Sequence, residues 1–228
     1  MDDSFFIVEY PDDPKYAEDA ALLSDEWVPH YDYDRYDRCP RCGKIVSGPF
    51  WLPPRKIVLT SRRIPDFFYL AGANVPFLIS ENALRGIREA GLTGIKSAEP
   101  IDYARFLRQA KKEVSIPNYY LIEVERSIIT IDQARSVVEY KESEGSTQCP
   151  LCHPVRGTSM AAKNLHWNME GFENYDIFKT YEMCSTLFVS KRFVEFCRDH
   201  NYTNLHCCPA SEWKLGHFGL EDLLAKDN

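Results

Sequence analysis

Four of the eight cysteines stand in two CxxC pairs, Cys39-Pro40-Arg41-Cys42 and Cys149-Pro150-Leu151-Cys152. A CxxC turn brings two thiolates onto one metal and leaves two coordination positions, which a second CxxC fills to close a tetrahedral zinc site. The spacing predicts one structural Zn2+ per chain, held by Cys39, Cys42, Cys149 and Cys152. Their separation is no obstacle. The logarithmic loop-closure term costs on the order of 4 kcal/mol, whereas structural zinc in small fingers supplies roughly 10–16 kcal/mol. Gly43 after the first pair lets the backbone curl and turn N–H groups toward sulfur. His153 holds the matching place after the second pair and is a competing donor.

Other uses of the pairs are redox dithiols, two separate metal sites completed by His206, Cys207 and Cys208, or turns that have lost their metal. The redox reading is the weaker one because neither pair opens a helix that follows a strand. Cys184, Cys197, Cys207 and Cys208 lie among apolar neighbours, where cysteine behaves as a small core residue.

Catalytic chemistry finds little support. A catalytic zinc keeps one position open for water, and four thiolates close it. The H-x-E stretch that a nucleoside-type deaminase places upstream of its cysteines does not occur. Gly157-Thr158-Ser159-Met160-Ala161 resembles the nucleophile segment of subtilisin-like proteases, yet the aspartate and histidine motifs that would orient such a serine are missing. A polar turn is expected there. There is no Gly-rich phosphate loop or HExxH helix, and His30, His166 and His217 show no ligand-like spacing. The sequence thus displays no catalytic constellation.

Those cysteines must be positioned by a fold, and 228 residues with 44% hydrophobic side chains can bury a sizeable core. The amino terminus carries no basic region followed by a long apolar run, and no window approaches a membrane span, so a cytoplasmic protein is expected. There a reducing glutathione pool keeps thiols free for metal. The net charge of -7 argues against nucleic acid as a partner. Acid is concentrated in residues 1 to 37, where twelve carboxylates meet two cations for a net -10 and leave about +3 for the rest. Within that segment Tyr31, Asp32, Tyr33, Asp34, Tyr36 and Asp37 interleave rings and carboxylates. Period-two alternation would place Tyr31 and Tyr33 on one strand face and Asp32 and Asp34 on the other. These six residues are the candidate surface for a basic protein partner. The competing account is tyrosines packed on the body beside a solvated acidic face.

Sliding the chain against itself by 110 residues lays Cys39 to Cys42 on Cys149 to Cys152, Asp66 on Asp176, Phe77-Leu78-Ile79-Ser80 on Leu187-Phe188-Val189-Ser190, and Thr93 on Thr203. In each copy an apolar run ends at a serine suited to capping a helix, Ser80 or Ser190. The next turns place Ala83, Leu84 and Ile87, or Phe193, Val194 and Cys197, on one helical face. Each helix then meets a residue that tolerates positive φ, Gly91 or Asn201. An apolar stretch follows, residues 92 to 98 or 202 to 208, and a further strand is expected over residues 119 to 124. The expected fold is α+β: two divergent strand-helix-strand repeats joined around a shared four-cysteine zinc knuckle pair. The boundaries are an acidic aromatic segment 1–38, a first repeat 39–140, a connector 141–148 and a second repeat 149–228, the halves forming one unit.

With both knuckles, the Tyr175-Asp176-Ile177-Phe178 element and the run from Leu187 to Phe193 in place, the sequence resembles the bacterial double-CxxCG family of immunity proteins over residues about 39 to 210. The resemblance implies a protein that occludes a cognate polymorphic toxin, with no catalysis of its own. The alternative class is an intracellular zinc-ribbon adaptor or regulator; a metal-dependent enzyme is more remote.

Overall fold

The computed structural model describes residues 5–9, 30–59, 64–69, 77–106, 115–141, 149–152 and 159–215. The chain opens with β1 (Phe5–Glu9), β2 (Tyr31–Asp32), β3 (Phe50–Trp51), β4 (Lys56–Leu59) and β5 (Phe67–Tyr69). Next come β6 (Phe77–Ser80), helix α1 (Glu81–Glu89), β7 (Ile95–Pro100), β8 (Tyr103–Phe106) and β9 (Tyr119–Ser127). The middle holds β10 (Thr130–Ile131), β11 (Val137–Lys141), β12 (Ser159–Lys163) and β13 (Trp167–Asn168). The last elements are β14 (Ile177–Thr180), β15 (Phe188–Ser190), helix α2 (Lys191–Asp199), β16 (His206–Pro209) and β17 (Lys214–Leu215).

Eight strands form one sheet in the order β16-β1-β15-β14-β9-β6-β5, with β7 paired to β9 as well. Side chains alternate across it, as the pleat requires. Phe77, Ile79, Ile122, Val124, Ile177 and Val189 point to the face where Ala83, Leu84 and Ile87 of α1 and Phe193 and Cys197 of α2 join a single core. Their neighbours point the other way. Phe5, Ile7, Phe178 and Phe188 pack under β10 to β13, and Leu78, Tyr119 and Leu121 pack under Trp51, Ile57 and Leu59. The middle of the sheet, β6, β14 and β15, is therefore buried on both faces, which is why these strands read as short, mostly apolar runs.

Both helices start and stop for local reasons. The Ser80 hydroxyl accepts from the Ala83 N–H, and the Ser190 hydroxyl from the Phe193 N–H. Beyond the last turns Gly91 and Asn201 take φ of 64° and 55°. Leu92 and Tyr202 then donate back to the carbonyls of Ile87 and Cys197.

Asp66 and Asp176, and Thr93 and Thr203, which align at a separation of 110, make matching hydrogen bonds. Asp66 accepts from the Ser80 hydroxyl at 2.7 Å and from the Thr203 N–H and hydroxyl, both at 3.0 Å. Asp176 accepts from the Ser190 hydroxyl at 2.7 Å and from the Thr93 N–H at 3.0 Å and hydroxyl at 3.3 Å. Each aspartate thus ties the cap of one helix to the threonine that follows the other helix. β6 and β7 flank β9, and β15 and β16 flank β1. The strand between β15 and β16 comes from the amino terminus, which the acidic character of residues 1 to 38 does not announce.

Two local expectations change. Ser159 to Ala161 lie in β12, paired with β11, and not in a turn. A partner strand at the right register supplies the backbone bonds that a polar turn would otherwise leave to water. The proposed connector begins with Lys141, the last residue of β11, and its remaining residues 142 to 148 lie outside the described ones. Among the described residues no helix is long and apolar enough to cross a membrane.

Candidate metal centre

The first cysteine pair sits on a tight loop closed by two backbone bonds, Cys39 N–H to the Lys44 carbonyl and Gly43 N–H to the Cys39 carbonyl, both 2.8 Å. Gly43 has φ of 73°, a conformation that costs glycine little. This curl directs the N–H groups of Arg41 and Cys42 at the Cys39 sulfur. The second pair repeats the arrangement, with the N–H groups of Leu151 and Cys152 at the Cys149 sulfur. Cys39, Cys149 and Cys152 are buried with Val46 beneath Leu151, Tyr181 and Cys184, while Cys42 reaches the surface.

All four sulfurs lie within 4.8 Å of one another. Cys39 and Cys149 are 3.8 Å apart, Cys42 and Cys152 3.5 Å. Zn–S bonds of about 2.3 Å at tetrahedral angles put sulfurs roughly 3.8 Å apart, so the cluster has the dimensions of a four-thiolate site. Its electrostatics point the same way. Burial raises the Cys39 thiol against the pull of its N–H donors, and burial together with the other three sulfurs raises Cys152. Burial opposes ionisation of Cys149 too, but the N–H groups of Cys152 and Leu151 and the neighbouring thiols bring it down to about 7. Four thiolates crowded this closely need a cation to share their charge.

Among the described residues no other group of three or more His, Cys, Asp or Glu side chains brings its donors together. His206, Cys207 and Cys208 lie along β16, opposite Glu9, Val8 and Ile7. Burial pushes the Cys207 thiol up to about 12. His153 and His217 lie outside the described residues.

The acidic aromatic residues meet a shorter strand than their alternation implies. β2 ends at Asp32, whose carboxylate accepts from the Asp34 N–H at 3.0 Å and turns the chain. Tyr31 and Tyr33 still meet edge to face at 6.1 Å, Tyr31 half-buried and Tyr33 65% exposed. Asp37 faces inward: it binds Arg126 Nε at 3.0 Å and lies 3.8 Å from Lys96 Nζ.

Between this segment and β7, β9 and β14 lies a cleft of about 170 Å³. Its lining includes Phe50, Trp51, Leu121, Arg126 and Lys179, with Cys184 toward the metal centre. The sequence signal for Lys179 was slight, a single lysine inside the apolar run of β14.

The family model of the Imm11 immunity proteins matches residues 76–212, well over half of the chain. The chain belongs to the Imm11 immunity protein family. No curated protein matches it. Membership bears out the expectation of an immunity protein, which implies a toxin partner and points to a non-enzymatic role. The Imm11 match begins after Cys39 and Cys42, so it takes in α1, α2 and the second cysteine pair and carries no statement about a double-CxxCG motif.

Proposed function

We propose that this Imm11 member neutralises a cognate protein toxin by occluding it, in the cytoplasm of the cell that makes both, and that one zinc ion on Cys39, Cys42, Cys149 and Cys152 holds its two halves in register. The family match carries the immunity reading. The sulfur spacing supports the metal, and the soft, four-thiolate donor set favours zinc. The reciprocal Asp66–Thr203 and Asp176–Thr93 bonds support descent of the halves from one duplicated unit. Tyr31, Asp32, Tyr33, Asp34 and Tyr36 form the proposed meeting surface for a basic toxin face, since the exposed Tyr33 ring and the half-buried Tyr31 and Tyr36 beside carboxylates combine anchoring with electrostatic steering. Asp37, engaged with Arg126, supports that surface from behind.

The test is co-expression of the chain with the carboxy-terminal domain of a toxin encoded beside it. Protection of the host, together with co-purification of the two proteins as a stable complex, is the expected result. Growth arrest with both proteins present and folded would reject the immunity role for that pair.

A further inference from the structure

The cleft between β9 and the 35–51 segment carries a cation that none of its carboxylates pairs with directly. Three of its carboxylates are matched. Glu123 binds Lys96 at 2.8 Å and the Ser97 hydroxyl at 3.3 Å, Asp37 binds Arg126, and Glu99 lies 3.6 Å from Arg55. Arg126 also donates to the Thr180 carbonyl, and Arg35 stacks 3.7 Å over the Phe50 ring. Lys179 stands apart. It projects from β14 beside Arg126, its register partner on β9, and makes no hydrogen bond or ion pair with any described residue. The indole N–H of Trp51, in the same lining, is buried with no acceptor. A half-buried cation without an ion pair and a buried donor without an acceptor are each unfavourable, so their meeting among the residues of one cleft is unusual for a purely structural region.

From this geometry we infer that the cleft is a binding site for a carboxylate on a small ring or short aliphatic body, with the Lys179 ammonium as its counter-charge. The volume suits such a group, because a dry protein cavity of about 150 Å³ accommodates benzene. Phe50, Trp51 and Leu121 supply apolar walls, and the paired carboxylates around them are held by their own cations. Burial and the neighbouring Arg126 bring the Lys179 pKa down to about 8 against the weaker pull of Cys184, Asp37 and Glu123, which leaves it mostly charged at neutral pH and able to gain from a closer anion. The carboxylate can belong to a free small molecule or to an acidic side chain of the bound toxin.

Benzoate is the probe, titrated into the full chain while the Trp51 indole N–H resonance is followed, with benzamide as its neutral isostere. Benzoate should shift that resonance saturably and bind at least tenfold more tightly than benzamide. Lys179→Met should lose at least tenfold in benzoate affinity, and Lys179→Arg should stay within a few-fold. Equal affinity for benzoate and benzamide in the unmodified protein, or benzoate shifts that leave Trp51 untouched, would overturn the inference without any variant. The source is read from toxin protection by Lys179→Met. Protection lost together with benzoate affinity assigns the carboxylate to the toxin, and protection retained assigns it to a free ligand.

Discussion

Replacing Asp176 with alanine should destabilise the protein by about 3 kcal/mol, chiefly by leaving donors unmet in both halves at once. The carboxylate is 5% exposed and receives four donors: the Ser190 hydroxyl, the Thr93 N–H and hydroxyl, and Arg192 Nη1 at 3.1 Å. Arg192 is 58% exposed, so its ion pair contributes within the 0–1 kcal/mol of surface pairs. The partly buried Thr93 N–H and Ser190 hydroxyl carry the rest, at about 1–3 kcal/mol for each donor left unmet. Asp66→Ala removes the matching carboxylate, but its Thr203 bonds are exposed and water can replace them, so about 1–2 kcal/mol is expected. Thermal unfolding of the metal-loaded protein reads both, and in a chain of this length the larger loss corresponds to a thermal midpoint lowered by roughly 6–12 °C. A double-mutant cycle with Thr93→Val should show coupling across the two halves. An Asp176→Ala cost below that of Asp66→Ala would refute the idea that these reciprocal bonds hold the halves together.

Elemental analysis should find one zinc per chain, and Cys39→Ser and Cys149→Ser should each remove it, since a ligand lost from either half opens the same site; zinc lost in only one of them would separate the halves. Gly94→Ala should cost at least about 2 kcal/mol in chemical unfolding, because Gly94 has φ of 105° and a Cβ there runs into the Ile177 carbonyl. Lys179 has a folded pKa near 8, below the unfolded value near 10.5, so the unfolded chain holds the extra proton between those limits and stability rises with pH across them. The stability of the parent relative to Lys179→Met should shift in the parent's favour by up to about 3 kcal/mol from pH 7 to 10.5, and a flat difference would show that the lysine is well solvated. Asp32→Asn with Asp34→Asn should slow toxin association and flatten its salt dependence with the fold intact, and unchanged rates across low and moderate salt would retire the steering surface.

The helices, their caps and the two cysteine turns were legible from the residues alone because each is decided within a few positions. A serine before an apolar face, a glycine or asparagine after it, and two cysteines around a two-residue turn act on their own backbone, with little need of partners. The separation of 110 residues joined those local signals, and the structure sets Thr203 against Asp66 and Thr93 against Asp176, contacts that the spacing alone did not specify. Only tertiary structure decided what crosses the chain. Nothing around Phe5–Glu9 tells that this strand sits between β15 and β16, since strand pairing is settled by distant partners and not by propensity. Ser159 to Ala161 read as part of a polar turn until β11 supplied their register. Asp37 looked like one more acid in an acidic run, and Lys179 like one more cation; their roles arise because β9 brings Arg126 to both. A charge acquires its meaning from the groups that fold around it, and sequence spacing does not encode which groups those are.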